Sequence, residues 1–221
     1  MLAVAAWAAY DAPELEKIDQ ADLEKFKEAY TYYQEGVEYE KEASWASASA
    51  AYRHAVETYP NYADAQYGFG RMALRLGRLD EAEQALKYAL ALNPDLYQAH
   101  SELGNVHYRR EEYNKAAYEF QEVLKKDAKD PVARYNFANA LRKLGQPEKA
   151  VDQYEKALVL DPENIDCYFN MGLAYEDLDK FEEAIANYQK FIDVAKDDPD
   201  ETEYVKAARE YIKELQGKKG Q

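Results

Sequence analysis

The chain has 221 residues, 28 Lys and Arg against 43 Asp and Glu, and a formal net charge of −15. Its 47% hydrophobic and 32% charged residues exceed what a disordered chain carries, and 9 Gly and 7 Pro are few for an all-β protein built on tight turns. The acidity argues against a nucleic-acid binder, which must set a basic face against phosphates, and against direct binding to an anionic membrane.

The chain begins MLAVAAWAAYDAPE. That apolar run is shorter than the ~20 residues a bilayer-spanning helix needs, and it lacks the basic start of a signal peptide. Three readings stay open for residues 1–10: a short helix packed on the first repeat, the remnant of an anchor or leader, or an expression artefact. A cytoplasmic location is expected, with export or membrane anchoring through a preceding segment as the alternative. The single cysteine, Cys167, excludes an intramolecular disulfide and a cysteine-based zinc cluster. Residues 13–28, with Leu15, Ile18, Leu23 and Phe26, read as a leading helix.

From residue 29 the chain repeats itself every 34 residues: 29–62, 63–96, 97–130, 131–164 and 165–198. Position 8 of each block is Gly36, Gly70, Gly104, Ala138 and Gly172; position 20 is Ala48, Ala82, Ala116, Ala150 and Ala184. Small residues there let two helices cross closely. Tyr52, Leu86, Phe120, Tyr154 and Tyr188 at position 24 fill the space beside the crossing. Apolar residues at positions 4, 7, 8 and 11 and at 17, 20, 24, 27 and 28 follow helical spacing, so each block is two amphipathic helices. Gly77 and Gly145 mark the break between them at position 15, where Glu111 and Asp179 stand in other blocks. Pro60, Pro94 and Pro162 at position 32 end the second helix; Ala128 and Lys196 replace proline elsewhere.

This pattern resembles the tetratricopeptide repeat (TPR), and the resemblance covers residues 29–198. It implies an all-α, right-handed superhelical solenoid of five helix-turn-helix repeats. Residues 199–216, with Tyr204, Ala208, Tyr211, Ile212 and Leu215 on one stripe, read as the helix that covers the last apolar face, and 217–221 as a frayed tail. Glu35 in place of the usual leucine makes the first block atypical.

No catalytic constellation is legible. His100 and His107 lie two turns apart on one helix, but at packing positions that carry Tyr168 and Tyr175 in the fifth block, and no further ligand completes a metal set. Cys167 reads as a structural thiol, and the GFG at 68–70 as helix packing rather than a phosphate loop. Neither enzyme activity, cofactor nor metal is expected.

The resemblance further implies that positions 2, 5, 6, 9, 12 and 13 of the first helices line a concave, peptide-binding groove. There stand Tyr67, Arg71, Arg75, Asn105, Tyr108, Arg109, Tyr135, Asn136, Asn139, Arg142, Lys143, Phe169 and Asn170. Guanidinium forks pair with carboxylates, asparagine amides hold an extended backbone, and tyrosine faces give apolar area at low entropic cost. The expectation is a non-catalytic protein-interaction scaffold binding an extended, acidic or C-terminal peptide. The chaperone-binding carboxylate clamp is disfavoured: Asn105 and Asn136 match it, but Ser101, Asp166 and Asn170 fill its basic positions. The alternatives are a membrane-tethered assembly factor working through its acidic convex face, and homo-oligomerisation through the terminal helices.

Overall fold

The computed structural model describes residues 19–195 and 202–219. The opening apolar run, with its three readings, lies outside the described residues. Among the described residues the regular elements are helices: α1 (Gln20–Lys41), α2 (Trp45–Thr58), α3 (Ala63–Arg75), α4 (Leu79–Leu92), α5 (Gln98–Arg109) and α6 (Tyr113–Lys126). They continue with α7 (Pro131–Lys143), α8 (Pro147–Leu160), α9 (Ile165–Glu176), α10 (Phe181–Ala195) and α11 (Thr202–Lys219). The chain divides into two compact units, residues 1–106 and 107–221, each with its own core.

The turn inside each helix pair is one device used at 34-residue intervals. Ala43, Gly77, Glu111, Gly145 and Asp179, all at position 15, have φ of +55°, +76°, +61°, +70° and +56°. At each, the next residue's N–H reaches back across the turn: Ser44 to Tyr39 O, Arg78 to Ala73 O, Glu112 to His107 O, Gln146 to Leu141 O and Lys180 to Tyr175 O. This left-handed cap satisfies carbonyls at the helix end. Glu111 and Asp179 therefore keep the conformation that glycine adopts without strain, rather than breaking the pattern.

The second helices end differently from the sequence expectation. α6 stops at Lys126 although Ala128 stands where other blocks have proline. Asn93, Asp127 and Asp161, at position 31, each accept the backbone N–H two residues on, at 3.1, 2.9 and 3.2 Å. That Asx turn diverts the backbone from the helix, and proline reinforces a stop already made.

Two boundaries also shift. Residues 13–18 of the expected leading segment lie outside the described residues; its remainder and the first helix expected from residue 29 form one helix, α1, because Phe26, Ala29, Tyr30 and Tyr33 continue one apolar stripe with no breaker among them. Asp19 caps it, accepting from Asp22 N at 2.9 Å. At the other end α11 runs to Lys219, past the expected limit at residue 216, with Lys218 Nζ 5.7 Å from the Phe181 ring centroid.

The cores show why the small residues recur. A Cβ added to Gly36 would lie 2.7 Å from Tyr52 Cε1, and one on Gly70 2.7 Å from Leu86 Cγ. Position 8 is thus pressed by the side chain at position 24 of its own block. Gly68, of the GFG, meets Tyr52 the same way, 2.9 Å from Cε1. In the C-terminal unit, α11 covers Tyr188, Phe191 and Ile192 with Val205, Ala208 and Leu215.

Candidate peptide-binding face

In the N-terminal unit the first helices α1 and α3 are neighbours, joined at their C-terminal halves. The Arg71 guanidinium makes two hydrogen bonds to the Glu40 carboxylate, one of 2.5 Å, and Glu40 also accepts from the Tyr52 hydroxyl. The same guanidinium lies 5.6 Å from the Tyr67 ring centroid. Arg75, the next basic residue along α3, is stacked 3.7 Å over Trp45. Burial raises the hydroxyl pKa of both Tyr33 and Tyr67, and carboxylates add to it: Asp64 and Glu40 beside Tyr33, Glu102 beside Tyr67. Asp64 itself is raised by burial alone. Asn105 on α5 donates a long bond, 3.5 Å, to Glu102.

In the C-terminal unit α7 and α9 are tied by Asn170, which also bonds back within its own helix. Asn170 Nδ2 donates to the Tyr135 hydroxyl at 3.0 Å and to Asp166 O at 3.0 Å. Arg142 pairs with Asp177 at 3.2 Å. From α8, the Tyr154 hydroxyl donates to Asn139 Oδ1 at 2.5 Å. Burial pushes the Tyr135 hydroxyl up to about 12. Tyr108 rests edge-on against Tyr113, at 5.3 Å. Half-buried Asn136 and exposed Lys143 remain on α7 without a side-chain hydrogen bond or ion pair among the described residues.

Of the residues expected to form the groove, Tyr67 and Arg71 come together in one unit, and Tyr135, Asn139, Arg142 and Asn170 in the other. Phe169 is taken up by packing: its ring lies 5.2 Å from Phe191, 6.1 Å from Tyr204 and 6.2 Å from Tyr211. Sequence reasoning named the cations and missed their anions. Glu40 and Asp177 stand at positions 12 and 13, on the same inferred face; reading every block at those positions, rather than only the basic ones, would have found them.

Elsewhere the chemistry is structural. His107, 2% exposed, sits with Nδ1 2.6 Å from Glu112 across the α5–α6 turn. Cys167 is buried, and its thiol is pushed up to about 12, first by desolvation and then by Asp166 and Asp161. Among the described residues no group of His, Cys, Asp and Glu is gathered to hold a metal, and no helix is long and apolar enough to cross a membrane.

Successive helix pairs with a common turn and a common small-residue crossing define an all-α repeat protein of the interaction-scaffold class. Models of the tetratricopeptide repeat match residues 33–97, 73–131, 107–158 and 165–198, and a further TPR-repeat model matches 138–179. The chain belongs to the TPR family. It is 27% identical over 112 residues to anaphase-promoting complex subunit 3 of Schizosaccharomyces pombe, matching 51% of this chain and 17% of that protein. It is 28% identical over 131 residues to the TPR repeat-containing protein YpiA of Bacillus subtilis, 58% of this chain and 31% of the relative. The chain thus spans under a third of the length of either relative. Among solved structures, MamA from Desulfovibrio magneticus RS-1 superimposes with a TM-score of 0.71 at 22% identity, over 77% of this chain and 97% of that one. YrrB, described as a TPR protein with an unusual peptide-binding site, gives 0.67 at 24% identity over 81% and 94%. These likenesses establish the shared fold.

Proposed function

We propose that this chain is a non-catalytic protein-interaction scaffold whose first-helix face takes an extended peptide, with an acidic side chain or C-terminal carboxylate of that peptide met on α7. The observation that carries the reading is the division of labour on α7. Tyr135, Asn139 and Arg142 are held by Asn170, Tyr154 and Asp177, which sets a stiff frame. Asn136 and Lys143 project from the same helix with their polar groups unspent. An amide offers both a donor and an acceptor to an extended backbone, and an unpaired ammonium attracts a carboxylate. The peptide-binding description of YrrB, a structure of the same fold, agrees with this use. Arg71 and Arg142 already hold carboxylates, so the preference for acid rests on Lys143 rather than on the whole basic row.

The test is affinity capture from source-cell lysate by the wild-type chain and by an Asn136→Ala, Lys143→Glu variant, with helicity compared by circular dichroism. Partners lost with the variant and weakened by salt place recognition on α7. Partners retained equally by both would refute the reading.

A further inference from the structure

The geometry points to a cation-binding position on the N-terminal unit: the Tyr33 and Tyr67 rings, with the Asp64 carboxylate beside them, take a lysine or arginine side chain of the bound peptide. The inference rests on the first-helix face being the peptide face, and names what part of that face selects.

Three observations lead to it. First, Tyr33 and Tyr67 occupy the same register, position 5, on the neighbouring helices α1 and α3; the Tyr33 ring packs on Tyr52 and Tyr62 at 5.6 and 5.2 Å, the Tyr67 ring carries Arg71, and both rings remain partly exposed. Ring faces attract cations, more strongly where water is thinned. Second, Asp64, one turn before Tyr67 on α3, is half-buried and makes no side-chain hydrogen bond or ion pair among the described residues. A carboxylate withdrawn from water without a donor is an expense that a ligand's ammonium or guanidinium offsets. Third, the unit already shows the same chemistry with its own residues: the Arg71 guanidinium faces Tyr67 while gripped by Glu40. Because Glu40 holds Arg71 and also accepts from Tyr52, that guanidinium is committed and does not answer Asp64. The net charge of −15 adds a long-range field that draws a cationic partner toward the surface.

The expectation drawn from the sequence alone ran the other way, because it counted Arg71 and Arg75 as available. Arg71 is neutralised by Glu40 and Arg75 is stacked on Trp45. Asp64 is left on this side without a hydrogen bond or ion pair among the described residues.

The experiment tracks backbone amide and tyrosine ring resonances of the full chain while adding a Gly/Ser peptide that carries one arginine, then versions with alanine or glutamate in its place. The arginine peptide is expected to shift Tyr33 and Tyr67 most. Asp64→Asn should weaken it about fivefold, the effect of losing one partly exposed ion pair, while the charge-matched Glu210→Gln on the exposed side of α11 leaves it unchanged. Asp64 lies in the first turn of α3, so asparagine gives up a favourable helix-end charge while relieving its burial; circular dichroism checks that the variant keeps wild-type helicity. If the alanine or glutamate peptide shifts first-helix resonances but the arginine peptide does not favour Tyr33 and Tyr67, this inference falls and the peptide-face reading stands. Equal binding by Asp64→Asn also overturns it. If no peptide moves any first-helix resonance, both readings fall together.

Discussion

Gly172→Ala isolates the packing rule on which the repeat depends. A Cβ at residue 172 would stand 2.7 Å from Tyr188 Cδ1 and 2.8 Å from Cζ, and closer still to Cε1. Carbon atoms pack at about 3.5–4.0 Å, so three ring atoms must retreat by about 1 Å. Tyr188 has little room to do so. It is fully buried, lies 5.4 Å from Tyr211 and 5.6 Å from Phe169, and donates its hydroxyl to Glu176 at 2.5 Å. Overpacking of this kind costs about 1–3 kcal/mol, and a weakened bond to a carboxylate adds to it. Alanine's better helix propensity returns about 1 kcal/mol, leaving a net loss of about 2 kcal/mol. For a chain of this size that lowers the melting temperature by about 4–8 °C. The control is Gly217→Ala, where nothing lies within 4 Å and the substitution should be neutral or slightly stabilising.

The same unit contains its own precedent for a remedy. Where Ala138 occupies position 8, the Tyr154 hydroxyl bonds Asn139 at position 9, whereas over Gly36 and Gly172 the tyrosine bonds a glutamate at position 12. Adding Leu173→Asn to Gly172→Ala supplies that nearer acceptor. A double-mutant cycle should show favourable coupling of about 1 kcal/mol. Urea and thermal unfolding followed by circular dichroism read both quantities. A Gly172→Ala midpoint equal to or above wild type, like that of Gly217→Ala, would refute the reasoning.

Ala43→Gly should stabilise by about 1 kcal/mol, because a non-glycine residue at φ +55° carries left-handed strain that glycine lacks; an unchanged urea midpoint would contradict this. Asp127→Ala should cost about 1 kcal/mol by removing the turn bond to Lys129 N where no proline reinforces the stop, and Asp161→Ala should cost less because Pro162 remains; equal midpoints for the pair would contradict it. At alkaline pH, burial raises the hydroxyls of Tyr52, Tyr154 and Tyr188 above the ordinary tyrosine value, and the thiol of Cys167 up to about 12. The folded state favours the protonated forms, so their contribution is present below pH ~9–10 and is lost as pH rises through the raised values. Tyrosinate absorbance from the buried rings should therefore appear together with loss of helicity, and its appearance with helicity intact would show that the rings are accessible.

The pairing of helices and their period were legible in the sequence because they rest on local rules. Small residues at positions 8 and 20, an aromatic or leucine at position 24 and a break at position 15 are separated by fewer residues than one block, and each has a single steric reason. The turn was read only where glycine marked it; Ala43, Glu111 and Asp179 adopt the same backbone because the carbonyls at the helix end demand it. The end of α6 was obscured because proline is the louder signal and the Asx bond the operative one. What the tertiary structure alone decided is which charges of the candidate face are paired with one another. Arg71 and Glu40 are 31 residues apart, and Arg142 and Asp177 are 35 apart, so their partnership depends on which helices are neighbours. An ion pair cancels a charge only at contact distance, and sequence spacing within one helix does not contain that distance. Once folded, Arg71 and Arg142 are clasped by carboxylates and Arg75 is stacked on Trp45, while Asp64 has no hydrogen bond or ion pair among the described residues.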